Sequence, residues 1–463
     1  MQHHCKRAAS RLPRSDAIVR ANGTESRTKT GESRGLPHDA GAHLPRERLA
    51  LLFAVMLVVA AGNTAMQSVM PSIGTHLGIA DVWVSLAYSW SALLWMGMAP
   101  FWARRSDHRG RKAMMALGLA AFVLSFGLCG LALAAGLHGM VSGLSAIVLF
   151  AAARSLYGGF GSAAPPAVQA YVASRTGAEE RTRTLSLIAS SFGLGTVLGP
   201  ALAPFLLLPG LGLVGPFAAF SLFALVVLVL LRTRLPDDKP GFAARGEVMD
   251  APFSAASGHH AIQPEGAAGR LRWADPRIRG WLLTGALGNQ AQAILLGVIG
   301  FLMLDRLGLR HAPDAAAGPI GLVLMCGAIA TLLAQWGLIP TLGLGPRTSA
   351  LWGMGLCALG TLFVALGADL HAIATGFAVA SLGLGLFRPG FTAGASLAVS
   401  VSEQGEAAGI VAAVNGSAYI VSPAIGVWLY NHFAWAVWGV MELLALGAML
   451  TCAFAIRKDA RAD

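Results

Sequence analysis

Apolar residues come in long runs along this chain, separated by short breaks. A helix that spans a bilayer needs about 20 mostly apolar residues, and stretches of roughly this length recur from residue 48 to residue 456. They predict membrane spans at 48–69, 82–103, 113–136, 144–173, 184–208, 212–231, 280–304, 317–341, 348–368, 371–400, 407–430 and 434–456. The pattern therefore predicts an all-α membrane protein with twelve transmembrane helices.

The twelve predicted helices fall into two bundles of six, at 48–231 and 280–456. The segment 232–279 between them is rich in Pro, Gly, Ala and charge and predicts a cytoplasmic linker. Residues 1–47 are polar and basic without the apolar core of a signal peptide, so they predict a disordered cytoplasmic tail. Two interpretations of 1–47 stay open, a native tail or an over-long assigned start. Residues 457–463 predict a short cytoplasmic C-terminal tail.

The two bundles look like copies of each other. Gly62-Asn63 in the first helix is matched by Gly288-Asn289 in the seventh. Similar glycine and proline positions recur elsewhere: Gly159 with Gly383, Pro165 with Pro389, and Pro200 with Pro423. Two such repeats predict bundles related by a pseudo-twofold axis, with a cavity between them near mid-membrane.

The charge distribution predicts the orientation of the helices. Only 12% of the residues are charged, against roughly 25% in soluble chains. The net charge of +11 would also suit a nucleic-acid-binding protein. However, 30 of the 34 Lys and Arg residues fall on the side that carries both termini, and only Arg306 and Arg310 fall in the opposite loops. By the positive-inside rule both termini are cytoplasmic, and this distribution argues against a nucleic-acid partner.

Metal-binding and catalytic patterns are weak in this sequence. The five cysteines are far apart and mostly inside apolar runs, which predicts small buried side chains and no metal site or disulfide framework. Acidic, His and Ser residues form no apparent cluster of the kind an enzyme needs. The sequence therefore predicts a protein that is not an enzyme.

The segment after the second helix reads Asp107-His108-Arg109-Gly110-Arg111-Lys112. It resembles the cytoplasmic loop signature of the major facilitator superfamily, Gly-x-x-x-Asp-Arg-x-Gly-Arg-Arg/Lys. Two positions depart from the signature, Ala103 for Gly and His108 for Arg. The resemblance implies a conformational role for Asp107, Arg109, Gly110, Arg111 and Lys112. A merely basic inner loop is the alternative.

Two further motifs resemble members of this superfamily. Arg154 and Gly158 are similar to its Arg-x-x-x-Gly motif, which implies that Arg154 tunes protonation or solute charge; the alternative is an arginine that only ties helices together. Gly195, Gly199 and Pro200 resemble the Gly-Pro motif of drug and metabolite antiporters. Small residues four apart also let helices approach closely, so packing alone is the alternative.

The resemblance covers about residues 50–456 and is nearest to the twelve-helix drug:proton antiporter branch, including tetracycline-exporter-like members. It implies a secondary active transporter in a bacterial inner membrane that exports a drug or metabolite by alternating access. A transmembrane proton gradient would supply the energy, and no cofactor is expected. The expected partners are a small-molecule solute and the lipid bilayer, with the monomer as the functional unit. Uptake symport or facilitated diffusion of a sugar or organic acid is the main alternative. A non-transporting receptor or a membrane enzyme is a remote one.

Polar residues within the predicted helices are candidates for the cavity wall. Asn63 and Gln67 are four apart and share one face of the first helix, and Asn289 and Gln292 do so in the seventh. Hydrogen bonds between helices are the alternative role for these amides. Additional candidates are Tyr88, Trp90, Arg154, Arg388, Asn415 and Tyr419. Glu442, the one acid deep within a predicted span, is the candidate for proton coupling, with a structural role as the alternative.

Overall fold

A computed structural model describes residues 44–173, 175–176, 178–237, 271–400 and 403–456. The predicted tail up to residue 43, the linker residues 238–270 and the C-terminal tail 457–463 lie outside the described residues. The described part contains helices and turns and no β-strand.

In the residues that the structure describes, twelve helices follow one another, two of them with an irregular segment. Helix α4 runs through a 3-10 turn at Gly161–Ala163 into a second segment, Ala164–Ala173, and α8 runs through a π-helical segment at Leu333–Leu338 into Ile339–Leu342. The bounds are α1 Arg46–His76, α2 Asp81–Arg109, α3 Arg111–Leu137, α4 from Gly143–Phe160, α5 Ala178–Leu202, α6 Gly215–Arg234, α7 Arg279–Arg306, α8 from Ala317–Leu332, α9 Pro346–Leu366, α10 Leu370–Leu397, α11 Gln404–His432 and α12 Ala434–Ala455.

The helices agree with the predicted spans in number and order and differ at their ends. Eleven of the described helices are long and apolar enough to cross a membrane, and Ser190–Leu206, largely within α5, is a shorter apolar helix. Helix α5 begins at Ala178, ahead of its predicted span, and includes the residues 179–183, most of which are charged. Several helices also extend beyond their apolar runs, and α1 has 31 residues. Polar residues continue a helix once it is established, so hydropathy alone underestimates its length.

The ends of matching helices are built alike in the two halves. Helices α1 and α7 are each followed by a glycine with positive φ, Gly78 at 64° and Gly308 at 65°. Glycine takes this left-handed conformation readily and ends a helix. Helices α4 and α10 each begin with a side-chain cap, in which Ser142 accepts from the Ser145 N–H and Asp369 accepts from the Ala372 N–H.

Helix packing repeats in the same way. In the first half α1 packs on α5 and α6, and α4 packs on α2 and α3; in the second half α7 packs on α11 and α12, and α10 packs on α8 and α9. The α3–α6 contact recurs as α9–α12. Adding six to each helix number converts one set of contacts into the other. This is the packing expected of two six-helix bundles related by a pseudo-twofold axis.

The bundles meet through α2 with α11, α5 with α8, and α1 with α7 and α8. We call the end of the molecule with the first and last described residues the terminal face, and the opposite end, with the α1–α2 and α7–α8 connections, the far face. Towards the far face Pro71 of α1 packs on Gly300 of α7, and Gly321 of α8 packs on Pro200 of α5. Residues 68–74 of α1 and 298–304 of α7, near the far face, are all buried. The bundles are therefore closely joined at the far face.

Candidate functional site

A polar cluster in the first bundle centres on Asn63. Its amide Nδ2 donates to the Tyr157 hydroxyl at 2.8 Å and to the Val59 carbonyl at 2.9 Å. Its Oδ1 accepts from Nη2 of Arg154 at 3.0 Å. The cluster joins α1 to α4 at mid-depth. The sequence had marked Asn63 and Arg154 without indicating that they touch.

Arg154 is a buried cation held mainly by aromatic rings. Its side chain is 5% exposed, and its guanidinium lies over the rings of Tyr157 at 4.9 Å and Phe126 at 5.8 Å. Its Nε and Nη1 are buried and have no hydrogen-bond partner. A buried charge is costly unless it is paired and hydrogen-bonded. Arg154 is thus only partly satisfied by the residues around it.

The other candidates in the first bundle surround this cluster. Gln67 is half-buried one turn along α1. Tyr88 of α2 packs edge-on against Phe150, and its buried hydroxyl has no hydrogen-bond partner. Trp90 is 47% exposed, and its indole N–H donates to the Ser155 hydroxyl. Trp90 therefore belongs as much to the α2–α4 contact as to a cavity wall.

In the second bundle, the predicted cavity amides Asn289 and Gln292 lie on α7. Asn289 of α7 is buried and donates to Oδ1 of Asn415 on α11 at 2.8 Å. Gln292 is half-buried, and its Oε1 has no hydrogen-bond partner. Gln290, which was not among the predicted cavity residues, bonds Ser422 of α11. Its position directly after the repeated Gly288-Asn289 motif is the sequence feature that could have identified it as a candidate.

Arg388 and Tyr419 lie on α10 and α11. Arg388 is exposed although it lies well inside its helix, while Tyr419 is half-buried. They form a second polar position, in the second bundle rather than the first.

Glu442 lies on α12 and accepts a hydrogen bond from the Thr361 hydroxyl of α9 at 2.6 Å. Helices α9 and α12 pack on each other within the second bundle and are not among the helices that join the two bundles. The candidate coupling acid is therefore separate from the Arg154 cluster, and its role in proton coupling stays a prediction.

The loop between α2 and α3 turns at Gly110, which has φ of 89° and ends one helix as it begins the next. Only glycine adopts this conformation without strain, which explains its place in the motif. Arg111 is buried, Arg109 is exposed, and Lys112 pairs with Asp237 at 2.9 Å. This ion pair ties α3 to the end of α6. The side chain of Asp107 lies outside the described residues.

The glycines of α5 lie directly against α1. A Cβ added at Gly195 would lie 2.7 Å from both Ala60 Cβ and the Leu57 carbonyl oxygen, and one at Gly199 would collide with the Ala61 carbonyl and Thr64. The Thr64 hydroxyl also donates to the Gly195 carbonyl at 3.3 Å. Pro200 follows inside the helix. These residues bring α5 close to the helix that carries Asn63.

An ion-pair network at the far face was not predicted. Arg310 donates to both carboxylate oxygens of Asp81, at 2.9 and 2.8 Å, and to Asp305 at 2.6 Å. Tyr430 donates to Asp305 at 2.8 Å. Asp81 belongs to the first bundle and the other three to the second, so the network bridges the bundles. The hydrogen bonds that Arg310 donates to Asp81 and Asp305 raise the pKa of its guanidinium, which therefore stays charged.

At the terminal face, Arg277 joins the end of the linker to the start of α11. It donates to both oxygens of Glu403 at 2.8 Å and to Asp275. Hydrogen bonding to the Arg277 guanidinium lowers the pKa of Glu403 to about 2 and also lowers the pKa of Asp275. Within the described ranges no three His, Cys, Asp or Glu side chains are grouped as a metal site requires.

Comparison with known sequences gives a family match over much of the chain. The profile described as Major Facilitator Superfamily matches residues 52–343. Multidrug resistance protein 2 of Bacillus subtilis (strain 168) is 29% identical over 179 residues, which are 39% of this chain and 41% of that protein. Multidrug resistance protein 3 of the same strain is 29% identical over 154 residues, 33% of this chain and 27% of that protein. The chain thus spans less than half the length of these relatives.

Solved structures share the fold over nearly the whole chain. A bacterial homolog of the human lysosomal transporter Spinster, in an inward-facing and occupied conformation, aligns with a TM-score of 0.65 and 13% identity, covering 89% of this chain and 96% of that one. A D-xylose-proton symporter aligns with a TM-score of 0.63 and 16% identity, covering 88% and 97%. At these identities the likeness is one of fold.

Proposed function

Because this chain belongs to the major facilitator superfamily, we propose that it is a secondary active transporter that moves a small molecule by alternating access. Rocking of the two bundles exposes the space between them first to one face and then to the other. The chain performs this cycle as a monomer, since it contains both bundles.

Contacts between the two bundles close the far face, and this observation supports the proposal. The bundles are joined towards the far face by Pro71 against Gly300 and by the Asp81–Arg310 ion pair. Each contact takes one member from each bundle, so each must break if the far face is to open. Polar side chains such as Asn63 and Arg388 lie deeper in the membrane region. A closed far face above polar residues is the arrangement of one end state of the cycle.

The proposed orientation has the terminal face in the cytoplasm, supported by the concentration of Lys and Arg in the segments on that side. The proposed location is a bacterial inner membrane. Export of a drug or metabolite is the favoured direction, supported by the names of the Bacillus relatives and by the Gly-Pro motif at Pro200. Exchange with protons drives this export in the proposal.

Everted membrane vesicles containing the overproduced protein test the proposal. The vesicles are energised, and a pH-sensitive dye quenched by the acidic interior is followed while a panel of drugs and metabolites is added. Protein-dependent recovery of fluorescence with one class of compound is the expected result. No recovery across the panel, together with counterflow of a labelled sugar or organic acid, would overturn proton-coupled export in favour of uptake or facilitated exchange.

A matched variant tests alternating access itself. In the double variant Asp81→Cys/Arg310→Cys, a reducible thiol-specific cross-linker can join the two bundles at the positions that now form the ion pair. Cross-linking should stop transport because the far face can no longer open, and reduction of the cross-linker should restore it. Each single cysteine variant, treated in the same way, controls for loss of the ion pair and for modification of one thiol. Undiminished transport by the double variant, with the cross-link verified, would contradict the proposed cycle.

A further inference from the structure

The packing of α10 fixes the direction in which Arg388 points. Gly385 faces α8, where a Cβ would lie 2.8 Å from Ala334, and Phe391 faces α7, against Gly285. Successive helical residues are rotated by about 100°. Arg388, three residues from each of these positions, therefore points into the gap between α7 and α8. Both helices contact α1 of the other bundle, so this gap faces the space between the bundles.

Arg388 also lies deep within the membrane region. It is the nineteenth of the 28 residues of α10 counted from the far face, and its side chain is exposed. It forms no ion pair within the part of the chain that the structure describes. A cation at such depth usually faces a cavity and finds a partner there.

The described carboxylates are bonded to residues other than Arg388 or lie at helix ends and beside the linker. Glu442 bonds Thr361 between α9 and α12, and Asp81 and Asp305 pair with Arg310 at the far face. The remaining ones lie at helix ends or beside the linker: Glu47, Asp237, Asp275, Asp314, Asp369, Glu403 and Glu406. Between the bundles, the described part of the membrane region thus offers positive charge without an acidic partner.

Arg154 adds a second positive charge at mid-depth. It is 5% exposed, and two of its three guanidinium nitrogens have no hydrogen-bond partner. The neighbouring residue on α1 is the amide Asn63 rather than an acid. In a medium of low dielectric constant its charge acts over a longer range than in water. A cationic solute would be repelled from this region and an anionic one attracted.

We infer that the transported solute is an organic anion whose acidic group binds Arg388, with Arg154 contributing attraction from within the first bundle. This inference rests on the proposed transport function. Closing the terminal face would remove water from Arg388 and leave its charge unpaired, which is unfavourable. A bound carboxylate, sulfonate or phosphate supplies the missing charge and forms paired hydrogen bonds with the guanidinium. Closure is then favoured when the anion is present.

The test uses the full chain in proteoliposomes and three probes that share one ring system. Naphthalene-1-sulfonate is a permanent anion, naphthalene-1-sulfonamide is neutral, and trimethyl(naphthylmethyl)ammonium is a permanent cation. Probe taken up is read from its own fluorescence after the vesicles are separated from free probe, so the readout assumes no coupling ion. We expect protein-dependent uptake of the sulfonate in preference to the other two.

Variants separate a binding role of Arg388 from a general effect on the protein. Arg388→Gln should raise the KM for the sulfonate about tenfold or more, since hydrogen bonds to charged groups contribute most to such affinities, and should abolish the preference for the sulfonate over the sulfonamide. Arg388→Lys should keep the preference for the sulfonate. Arg232→Gln, which removes an exposed charge at the end of α6, should change neither.

Failure of the anion inference gives a different result from failure of the proposed transport function. Uptake of the ammonium or sulfonamide probe with no preference for the sulfonate, or a sulfonate KM unaffected by Arg388→Gln, overturns the anion inference and leaves transport intact. Absence of protein-dependent flux of every probe and of the wider panel in everted vesicles overturns the proposed function, and the inference with it.

Discussion

At the scale of single residues, Arg154 shows how a membrane interior accommodates a charge without a carboxylate. One amide oxygen, from Asn63, and the faces of Tyr157 and Phe126 surround the guanidinium. Cation–π contacts contribute about 0.5–2 kcal/mol each and strengthen as water is excluded. They offset only part of the free-energy cost of burying the guanidinium charge. The stability of that charge therefore depends on the surrounding residues of the bundle and on any polar group that approaches Arg154.

Replacement of this charge tests its function separately from folding. Arg154→Ala should insert into the membrane at least as well as the parent, because an arginine at the centre of a membrane helix costs about 2.5–3.5 kcal/mol on insertion scales. Transport should be lost, since Asn63 and Tyr157 lose the group around which they are arranged. Membrane-fraction yield and solute flux are the two measurements. Retained flux would reduce Arg154 to a structural role.

Glu442 tests proton coupling in the same way. Glu442→Gln removes the titratable group but keeps an oxygen that accepts from Thr361. We expect the pH dependence of transport to flatten while transport at a fixed solute gradient continues. Thr361→Val is the matched variant, which loses the hydrogen bond and retains the acid. A pH profile identical to that of the parent would show that another group carries the proton.

At the scale of helices, close approach depends on missing side chains. Helix α5 lies on α1 through Gly195 and Gly199, and α9 lies on α10 through Gly353 and Gly383. Apolar side chains gain little by leaving lipid for a helix contact, so backbone proximity and van der Waals packing hold these pairs. The same logic places small residues where the two bundles meet at Gly300.

Gly199→Ala should therefore destabilise the protein. The added methyl group would collide with the Ala61 carbonyl and Thr64, and overpacking of this kind costs about 1–3 kcal/mol. The thermal midpoint of the purified protein should fall. Gly439→Ala is the control, because nothing lies within 4 Å of a Cβ added at Gly439. Equal midpoints for the two variants would argue against tight α1–α5 packing.

The attachment of the linker to α11 should depend on pH. The Arg277 guanidinium lowers the pKa of Glu403 from its ordinary 4.5 to about 2. A lowered pKa means that the ion pair stabilises the fold above pH 4.5 and that this contribution disappears as the pH falls towards 2. Glu403→Gln should have a slightly lower thermal midpoint than the parent at pH 7. The gap should close on acidification, and a gap independent of pH would contradict the assignment.

At the scale of the whole molecule, the Asp81–Arg310 pair joins the bundles at the face where they are closest. Asp81 is 4% exposed, so its carboxylate depends on Arg310 for compensation. A contact made in one end state and broken in the other shifts the balance between them by its own free energy. The pair thus favours the state in which the far face is closed.

Asp81→Asn should shift the population towards opening of the far face. Hydrogen bonds to charged groups contribute about 1.5–3 kcal/mol, a change of roughly tenfold or more in the equilibrium. The rate at which a membrane-impermeant maleimide labels a cysteine introduced at the buried Ser85 reports opening from that side. Asp369→Asn, at an exposed position where the side chain caps α10 within the second bundle, is the control. Equal labelling rates in the two variants would show that the Asp81–Arg310 pair does not hold the far face closed.

The sequence by itself determined the number of helices, their division into two bundles and the likeness of the halves. These features depend on local properties, namely the length of apolar runs, their transfer free energy into lipid, and the repetition of glycine and proline. It also marked the unusual polar residues, including Asn63, Arg154 and Arg388. The ends of α5 were less predictable, because helix continues through charged residues that hydropathy excludes.

Only the tertiary structure decided which of these residues meet. Asn63 bonds Arg154 and Tyr157, Asn289 bonds Asn415, and Glu442 bonds Thr361. The helices are apolar on nearly every side, so their sequences carry little information about rotation or partner. Close packing of glycines and side chains between neighbouring helices sets the rotation of each one. That rotation turns Arg388 towards the space between the bundles and brings Arg310 to Asp81.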